Sequence, residues 1–122
     1  MSGPTIYPTG SCFDDALDFL ENRVKEDPSI VDGERLVLVH AIVLQPDGPE
    51  EGKPFAHAWI EEGELVWASG ILEGERIYFA AEKAKILPKL RVQDATRYTV
   101  REAHQENRRT GTYGPWLEKF QA

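Results

Sequence analysis

The segment that most constrains the fold is Arg35–Gln45, which reads RLVLVHAIVLQ and is almost continuously apolar and β-branched. A strand with one buried face alternates apolar and polar residues, whereas a strand covered on both faces does not. Residues 36–44 are therefore predicted to form a strand with other elements packed on each of its faces. We expect the late helix or the C-terminal tail to supply one of these covers.

Composition and charge exclude several classes of protein. The chain has 122 residues, 41% of them apolar and 29% charged, which is typical of one globular domain over 1–122. The formal net charge of −7 argues against nucleic acid or an anionic membrane as a partner. The chain opens without a signal-peptide pattern and has no apolar run of about 18 residues. We therefore expect a cytoplasmic protein.

The region before the apolar strand carries the spacing of an amphipathic helix. Residues 1–10 contain two prolines and two glycines, which predicts an extended lead-in. Ser11 is a suitable N-cap with Asp14 three residues further on, and Pro28 lies where the helix should stop. The apolar positions that define its inner face are Phe13, Ala16, Leu17, Leu20 and Val24.

The strand patterns continue after a charged, turn-rich loop. The stretches 55–61 and 64–71 predict a hairpin with its turn around Glu62-Gly63. Residues 75–90 fit either a strand over ERIYFAA or a helix over AAEKAKIL, so both alternatives stay open.

The last part of the chain predicts a second helix and a docked tail. Asp94 is expected to cap a helix that runs to about Arg108 and ends at Gly111. The tail TGTYGPWLEKF is aromatic enough to dock on the core. The order of helix, strands and helix predicts an α+β fold, in which an N-terminal helix packs on an antiparallel sheet and a C-terminal helix with an aromatic tail follows.

Cys12 is the first candidate for chemistry, because it lies in the first turn of the first helix. The helix dipole favours a thiolate there, whereas Asp14 and Asp15 in the same turn oppose it. The alternative is a small buried residue between helix and sheet. A single cysteine excludes an internal disulfide and a multi-cysteine zinc site.

His57 is the second candidate. In FAHAWI it shares a strand face with Phe55 and Trp59, so it is either a half-buried core histidine or a general base shielded by Trp59. A cysteine at a helix start, packed on a sheet that presents a histidine, is the arrangement of Cys–His nucleophilic catalysis.

Several short motifs resemble small papain-like or transglutaminase-like proteins of bacteria and their phages. They are G-S-C-F at the head of the first helix, H-A-W and V-W-A-S on successive strands, and the late Y-x-x-x-E-A with R-x-T-G-T-Y-G. The resemblance extends from about Tyr7 to Trp116. It implies that Cys12 is the nucleophile and His57 the base.

The acidic third member that this resemblance implies is missing. A two-residue turn places Ala68 opposite His57, and a three-residue turn places Ser69 there. Ser69 could orient the imidazole but could not stabilise its cation as a carboxylate does. Trp59 and Ser69 are the predicted substrate-binding residues.

The remaining polar residues are weaker candidates. His40 is expected to be a satisfied core histidine, and His104 to lie on a polar helix face. No spacing favours a metal site and no glycine-rich stretch fits a phosphate, so we expect no metal and no cofactor. A solvated turn tip is expected for Glu61, Glu62 and Glu64. An exposed helix face is expected for Arg97, Arg101, Arg108 and Arg109.

Two functions compete on these grounds. The first is a cysteine hydrolase or acyl transferase that acts on an amide or ester, with Cys12 as nucleophile and His57 as base. The second is a catalytically degenerate member of the same fold that binds a peptide, a small molecule or a protein. A structural subunit of a phage or polymorphic system is a third interpretation, because fold alone does not define function.

Overall fold

The computed structural model describes residues 11–121, so the extended lead-in predicted for 1–10 lies outside the described residues. The elements follow in the order α1 (Cys12–Glu26), β1 (Leu36–Leu44), β2 (Pro54–Glu62), β3 (Leu65–Leu72), β4 (Glu75–Glu82), α2 (Lys83–Leu90), β5 (Asp94–Thr99) and α3 (Val100–Thr110). Short 3-10 helices occupy Pro28–Asp32 and Glu118–Phe120. The predicted α+β class is confirmed.

The five strands form one antiparallel sheet in the order β4-β3-β2-β1-β5. The predicted strand over 36–44 is confirmed as β1, which lies between β2 and β5 and is paired along both of its edges. Its backbone hydrogen bonds are therefore met within the sheet, as a buried strand requires.

The two faces of the sheet carry separate apolar clusters. On one, here called the α1 face, Leu36 and Leu38 of β1 lie with Ala58 and Ile60 of β2 against α1 and α3. The helix residues that cover this face are Ala16, Leu17, Leu20, Val100 and Ala103.

On the other, here called the α2 face, Val39, Ala41 and Val43 lie with Trp59 against Ile86 and Leu90 of α2. Both faces of β1 are thus buried, one by α1 with α3 and the other by α2.

Helix α1 begins as the sequence predicts, but its cap differs. Ser11 makes no side-chain hydrogen bond to a backbone N–H; its hydroxyl donates instead to Asp15 Oδ2 at 3.1 Å. Ser11 therefore precedes the helix but does not cap it with its side chain. Pro28 lies at the start of the following 3-10 helix, two residues after α1 ends at Glu26, as expected.

The region after β3 contains more structure than expected. Residues 75–90 hold both alternatives in succession, since β4 ends at Glu82 and α2 follows directly. The helix predicted from Asp94 is wrong in its first part, because Asp94–Thr99 forms β5 on the edge of β1. Thr99 caps α3 in a full capping box with Glu102, a stronger signal than Asp94 offers.

The C-terminal tail docks on the core as predicted, with Trp116 on the α1 face. Trp116 and Phe120 are buried, whereas Tyr113 is 40% exposed and is not part of the buried core. Gly114, at φ +105°, packs so closely on His40 that a Cβ there would lie 2.6 Å from His40 Cε1. Only glycine allows the tail to cross the imidazole at this point.

Phe120 should hold the tail to the sheet. Its side chain is 1% exposed, so Phe120→Ala should lower the free energy of unfolding by about 3–5 kcal/mol. Leu117→Ala, at a position 40% exposed, should change it by no more than about 0.5 kcal/mol. Urea denaturation of both variants measures the difference. Equal effects would show that the tail does not pack as described.

Candidate functional site

Cys12 lies in the first turn of α1 with only 4% of its surface exposed. Burial raises the pKa of the thiol to about 11; a hydrogen bond to the backbone of Ala58 opposes this, and the carboxylate of Asp15 adds to the rise. The thiol is therefore protonated near neutral pH, so the start of α1 does not generate a thiolate.

His57 is fully buried on the α2 face. Its ring centroid lies 5.8 Å from that of Phe55 and 6.2 Å from that of Trp59. Neither ring nitrogen has a hydrogen-bond partner within residues 11–121. Burial lowers the pKa of the imidazole to about 4, so the ring is neutral near neutral pH.

Cys12 and His57 approach β2 from opposite faces of the sheet. His57 pairs with Ala41 and shares its α2 face, whereas Ala58 pairs with His40 and lies on the α1 face, where Cys12 packs. The expectation that the first turn of α1 covers the face of His57 is wrong, because successive side chains of a strand point to opposite faces. The side chain of His57 is therefore directed away from the helix that carries Cys12.

His40 is the histidine on the same face as Cys12. Its ring lies 4.7 Å from that of Phe13, 5.1 Å from that of Tyr98 and 4.8 Å from that of Trp116. It is buried as expected but not satisfied, because neither of its nitrogens has a hydrogen-bond partner among the described residues. Burial lowers the pKa of this imidazole to about 4 as well.

The β2–β3 hairpin has a different register from the two considered. Its turn is Gly63-Glu64, so Glu62 pairs with Leu65, and the ladder ends at the pair Ile60–Trp67. Neither Ala68 nor Ser69 therefore lies opposite His57. Ala68 belongs to the α2 face and pairs with β4.

The predicted substrate-binding residues are enclosed in the core. Trp59 is fully buried, and its Nε1 donates to Glu61 Oε2 at 3.1 Å. Ser69 is 1% exposed, and its hydroxyl has no partner among the described residues. Neither side chain lines the groove between α1 and β4 that is described below.

The expectation that Glu61 and Glu62, at the end of β2, form a solvated turn tip is wrong. Glu61 is buried and accepts hydrogen bonds from Trp59 and from Arg97, which lies on β5 rather than on a helix. Lys83 Nζ lies 3.6 Å from the same carboxylate.

Glu62 belongs to the α1 side of the sheet. It accepts two hydrogen bonds from Arg23 at 3.0 and 2.8 Å, one from Arg35 and one from Trp67 Nε1. The hydrogen bonds from Arg23 are the main cause that lowers the pKa of Glu62 to about 2. Both glutamates are structural anchors, since each satisfies cations from other elements.

A groove that sequence reasoning missed lies between α1 and β4. It has a volume of about 340 Å³ and is lined by Asp15, Asp18, Phe19, Asn22, Arg76, Ile77 and Tyr78. Its residues come from a helix and a strand far apart in the chain. The sequence feature that could have indicated this groove is the pair Asp15 and Asp18, which lie one turn apart on the same side of α1.

The described residues offer no metal site and no membrane span. Between 11 and 121, no three His, Cys, Asp or Glu side chains are grouped to hold a metal ion. No helix in this part of the chain is long and apolar enough to cross a membrane.

His104, expected on a polar face of the last helix, contacts the first helix. Its Nε2 lies 2.8 Å from Glu21 Oε1 and links α3 to α1.

Comparison of the chain with family models, with curated proteins and with solved structures finds no match. The resemblance to papain-like and transglutaminase-like proteins therefore stays a prediction from short motifs. Conclusions on function rest on the geometry of this chain.

The Cys12 thiol should be unreactive in the folded protein. A thiol pKa of about 11 instead of 9.0 lowers the thiolate fraction near pH 8 about a hundredfold, and burial adds a steric barrier. Iodoacetamide labelling, followed by mass spectrometry, should be slow in buffer and rapid in urea, with Cys12→Ser as the blank. Rapid labelling of folded protein with a midpoint below about pH 8.5 would indicate an activated nucleophile.

The two buried histidines should make the fold sensitive to mild acid. Their pKa values are about 4 in the folded chain and about 6.5 in the unfolded chain, so only the unfolded chain gains protons as the pH falls below about 6.5. Stability should fall between about pH 6.5 and 4, by up to about 1.4 kcal/mol per pH unit for each histidine. Urea denaturation at about pH 7 and at about pH 5 measures this fall in stability. Both pH values lie above the pKa of Glu62 in the folded chain.

His57→Phe should remove about half of this pH dependence, since one of the two imidazoles is gone. Phe55→Leu is the matched control in the same cluster, and it should lower stability equally at both pH values. An unchanged slope in His57→Phe would show that His57 is protonated in the folded chain.

Proposed function

We propose that this chain is a binding module for a basic peptide or protein segment, and that Cys12 does not act as a nucleophile. The observation that carries the choice against a cysteine hydrolase is the position of Cys12 and His57 on opposite faces of the sheet. A general base must lie within hydrogen-bond reach of the thiol that it deprotonates, and this placement argues against such a contact. The second of the two competing functions is therefore better supported.

The acidic side of the groove between α1 and β4 is the surface that fits a basic partner. Neither Asp15 nor Asp18 has a lysine or arginine within ion-pair distance in the described part of the chain. Many of the other carboxylates there are paired with cations. Asp15 accepts a hydrogen bond from the Ser11 hydroxyl and Asp18 one from the Tyr113 hydroxyl, but the charge of neither is balanced by a cation within ion-pair distance among the described residues.

The opposite side of the groove is aromatic. Phe19 stacks on Trp67 with ring centroids 5.0 Å apart, and its ring lies 5.2 Å from that of Tyr78. The guanidinium carbon of Arg23 already lies 5.6 Å from the centroid of the Phe19 ring. The rings therefore supply an apolar wall, along which the methylene stem of a lysine or arginine side chain could pack. Arg76 limits the groove at one end, where its Nη1 donates to Ser11 Oγ at 2.6 Å.

The aspartates are not explained by helix stability alone. Asp15 lies in the first turn of α1, where a negative charge interacts favourably with the helix dipole. Asp18 lies beyond that turn and gains little from it. The charge of Asp18 is the main cause that raises the pKa of Tyr113, with Asp14 and Glu21 adding to it, so negative charge accumulates along the surface of α1. The net charge of −7 also steers a basic partner toward the molecule.

The test removes the two groove carboxylates. Asp15→Asn with Asp18→Asn should weaken binding of a fluorescein-labelled oligolysine peptide by about threefold to tenfold, because two exposed ionic contacts are lost. Fluorescence anisotropy at low and at physiological salt measures the affinity.

The matched control is Glu34→Gln with Glu118→Gln, which changes the net charge equally at exposed positions away from the groove. Its affinity should stay close to that of the unchanged chain. Equal losses in both double variants would show that the peptide responds only to net charge, and the groove would not be the binding site.

A further inference from the structure

The outer edge of β4 is an unprotected strand edge. β4 is the last strand of the sheet, and no described residue pairs with its outer side. Five uncharged residues, Ile77–Ala81, lie between Arg76 and Glu82, and the strand has no proline. Native proteins commonly block such an edge with a central charge, a proline or a bulge. The opposite edge strand, β5, is shorter and carries Arg97 near its middle.

The turn before β4 determines which of its backbone groups face outward. β3 and β4 are joined through the two-residue turn Glu73-Gly74, and Leu72 pairs with Glu75. In a hairpin of this kind the flanking pair is hydrogen-bonded, and hydrogen-bonded and non-hydrogen-bonded pairs then alternate. The N–H and C=O groups that point away from the sheet therefore belong to Arg76, Tyr78, Ala80 and Glu82.

We infer that β4 pairs with β4 of a second copy of this chain, as antiparallel strands related by a two-fold axis at Phe79. In this register Arg76 lies opposite Glu82 of the second copy, and Tyr78 lies opposite Ala80. All four outward-facing residues of each copy are then hydrogen-bonded, and the two sheets become one.

The charges of β4 favour this register over its neighbours. A shift by one residue places outward groups opposite inward ones and breaks the ladder. A shift by two in either direction leaves some of the four residues unpaired and separates Arg76 from Glu82. Both of these side chains are exposed; Glu82 has only a 3.6 Å contact with Lys85, and Arg76 uses one nitrogen on Ser11. The strand is thus complementary to itself in hydrogen bonds and in charge.

The first measurement is the oligomeric state. Sedimentation velocity over a range of concentrations should show a monomer–dimer equilibrium in the full chain. Ala80→Pro should abolish it, because proline removes an outward N–H without removing a bond to β3. Circular dichroism verifies that this variant folds.

A charge exchange tests the register independently of folding. Glu82→Arg places two cations opposite each other in the dimer, and Arg76→Glu places two anions there. Each variant alone should dimerise at least about tenfold more weakly, whereas an equimolar mixture should form heterodimers, because every cross-strand contact then joins opposite charges. Glu118→Arg, the same charge change at an exposed position away from β4, should dimerise normally.

Amide exchange measured by NMR identifies the surface used. The N–H groups of Tyr78 and Ala80 should exchange rapidly in dilute protein and slowly in concentrated protein. A chain that stays monomeric at high concentration, or a dimer that Ala80→Pro and the charge variants leave intact, would overturn the inference. A second result would also overturn the inference: amides of Tyr78 and Ala80 that are protected in the monomer and lose this protection when residues 1–10 are deleted. The N-terminal segment would then occupy the edge of β4.

Discussion

Burial of β1 on both faces is the constraint on which the rest of the structure depends. An uninterrupted apolar strand is stable only where both edges are paired and both faces are covered. β2 and β5 pair its edges, α1 with α3 covers one face, and the short α2 covers the other. The connection through α2 and the return of the chain as β5 both follow from this requirement.

The size of the side chains on β2 explains which face receives α1. Ala58 lies on the α1 face and Trp59 on the α2 face. A small residue allows the first turn of the helix to approach the strand closely, and Cys12 fills the remaining space there. His57, next to Ala58 in sequence, is thereby directed away from the helix. The alternation of side chains along β2 thus determines that His57 and Cys12 lie on different faces of the sheet.

Sequence patterns predict the elements of this fold better than their relations. The extent of β1 and the start of α1 are predictable, because continuous β-branched residues and helical spacing are local signals. The face of β2 that meets α1 is not, since both of its faces are apolar. The hairpin register is missed because Glu62-Gly63 is a weak turn signal, and the turn lies one residue further on. Asp94 imitates a helix cap, yet pairing with β1 makes it the start of β5.

Glu61 and Glu62 show how neighbouring residues can serve opposite layers. Each carboxylate accepts a hydrogen bond from a tryptophan indole and binds two cations, Glu61 on the α2 face and Glu62 on the α1 face. The closed end of the β2–β3 hairpin is therefore fixed on both sides of the sheet, while the two strands separate beyond Ile60–Trp67. Cys12 lies by Ala58 in that separated region and fills space. Polar groups that remain available to a partner are found further out, along α1 and the open edge of β4. The binding role that we propose uses these outer surfaces, whereas the buried cysteine and histidines contribute to the packing of the core.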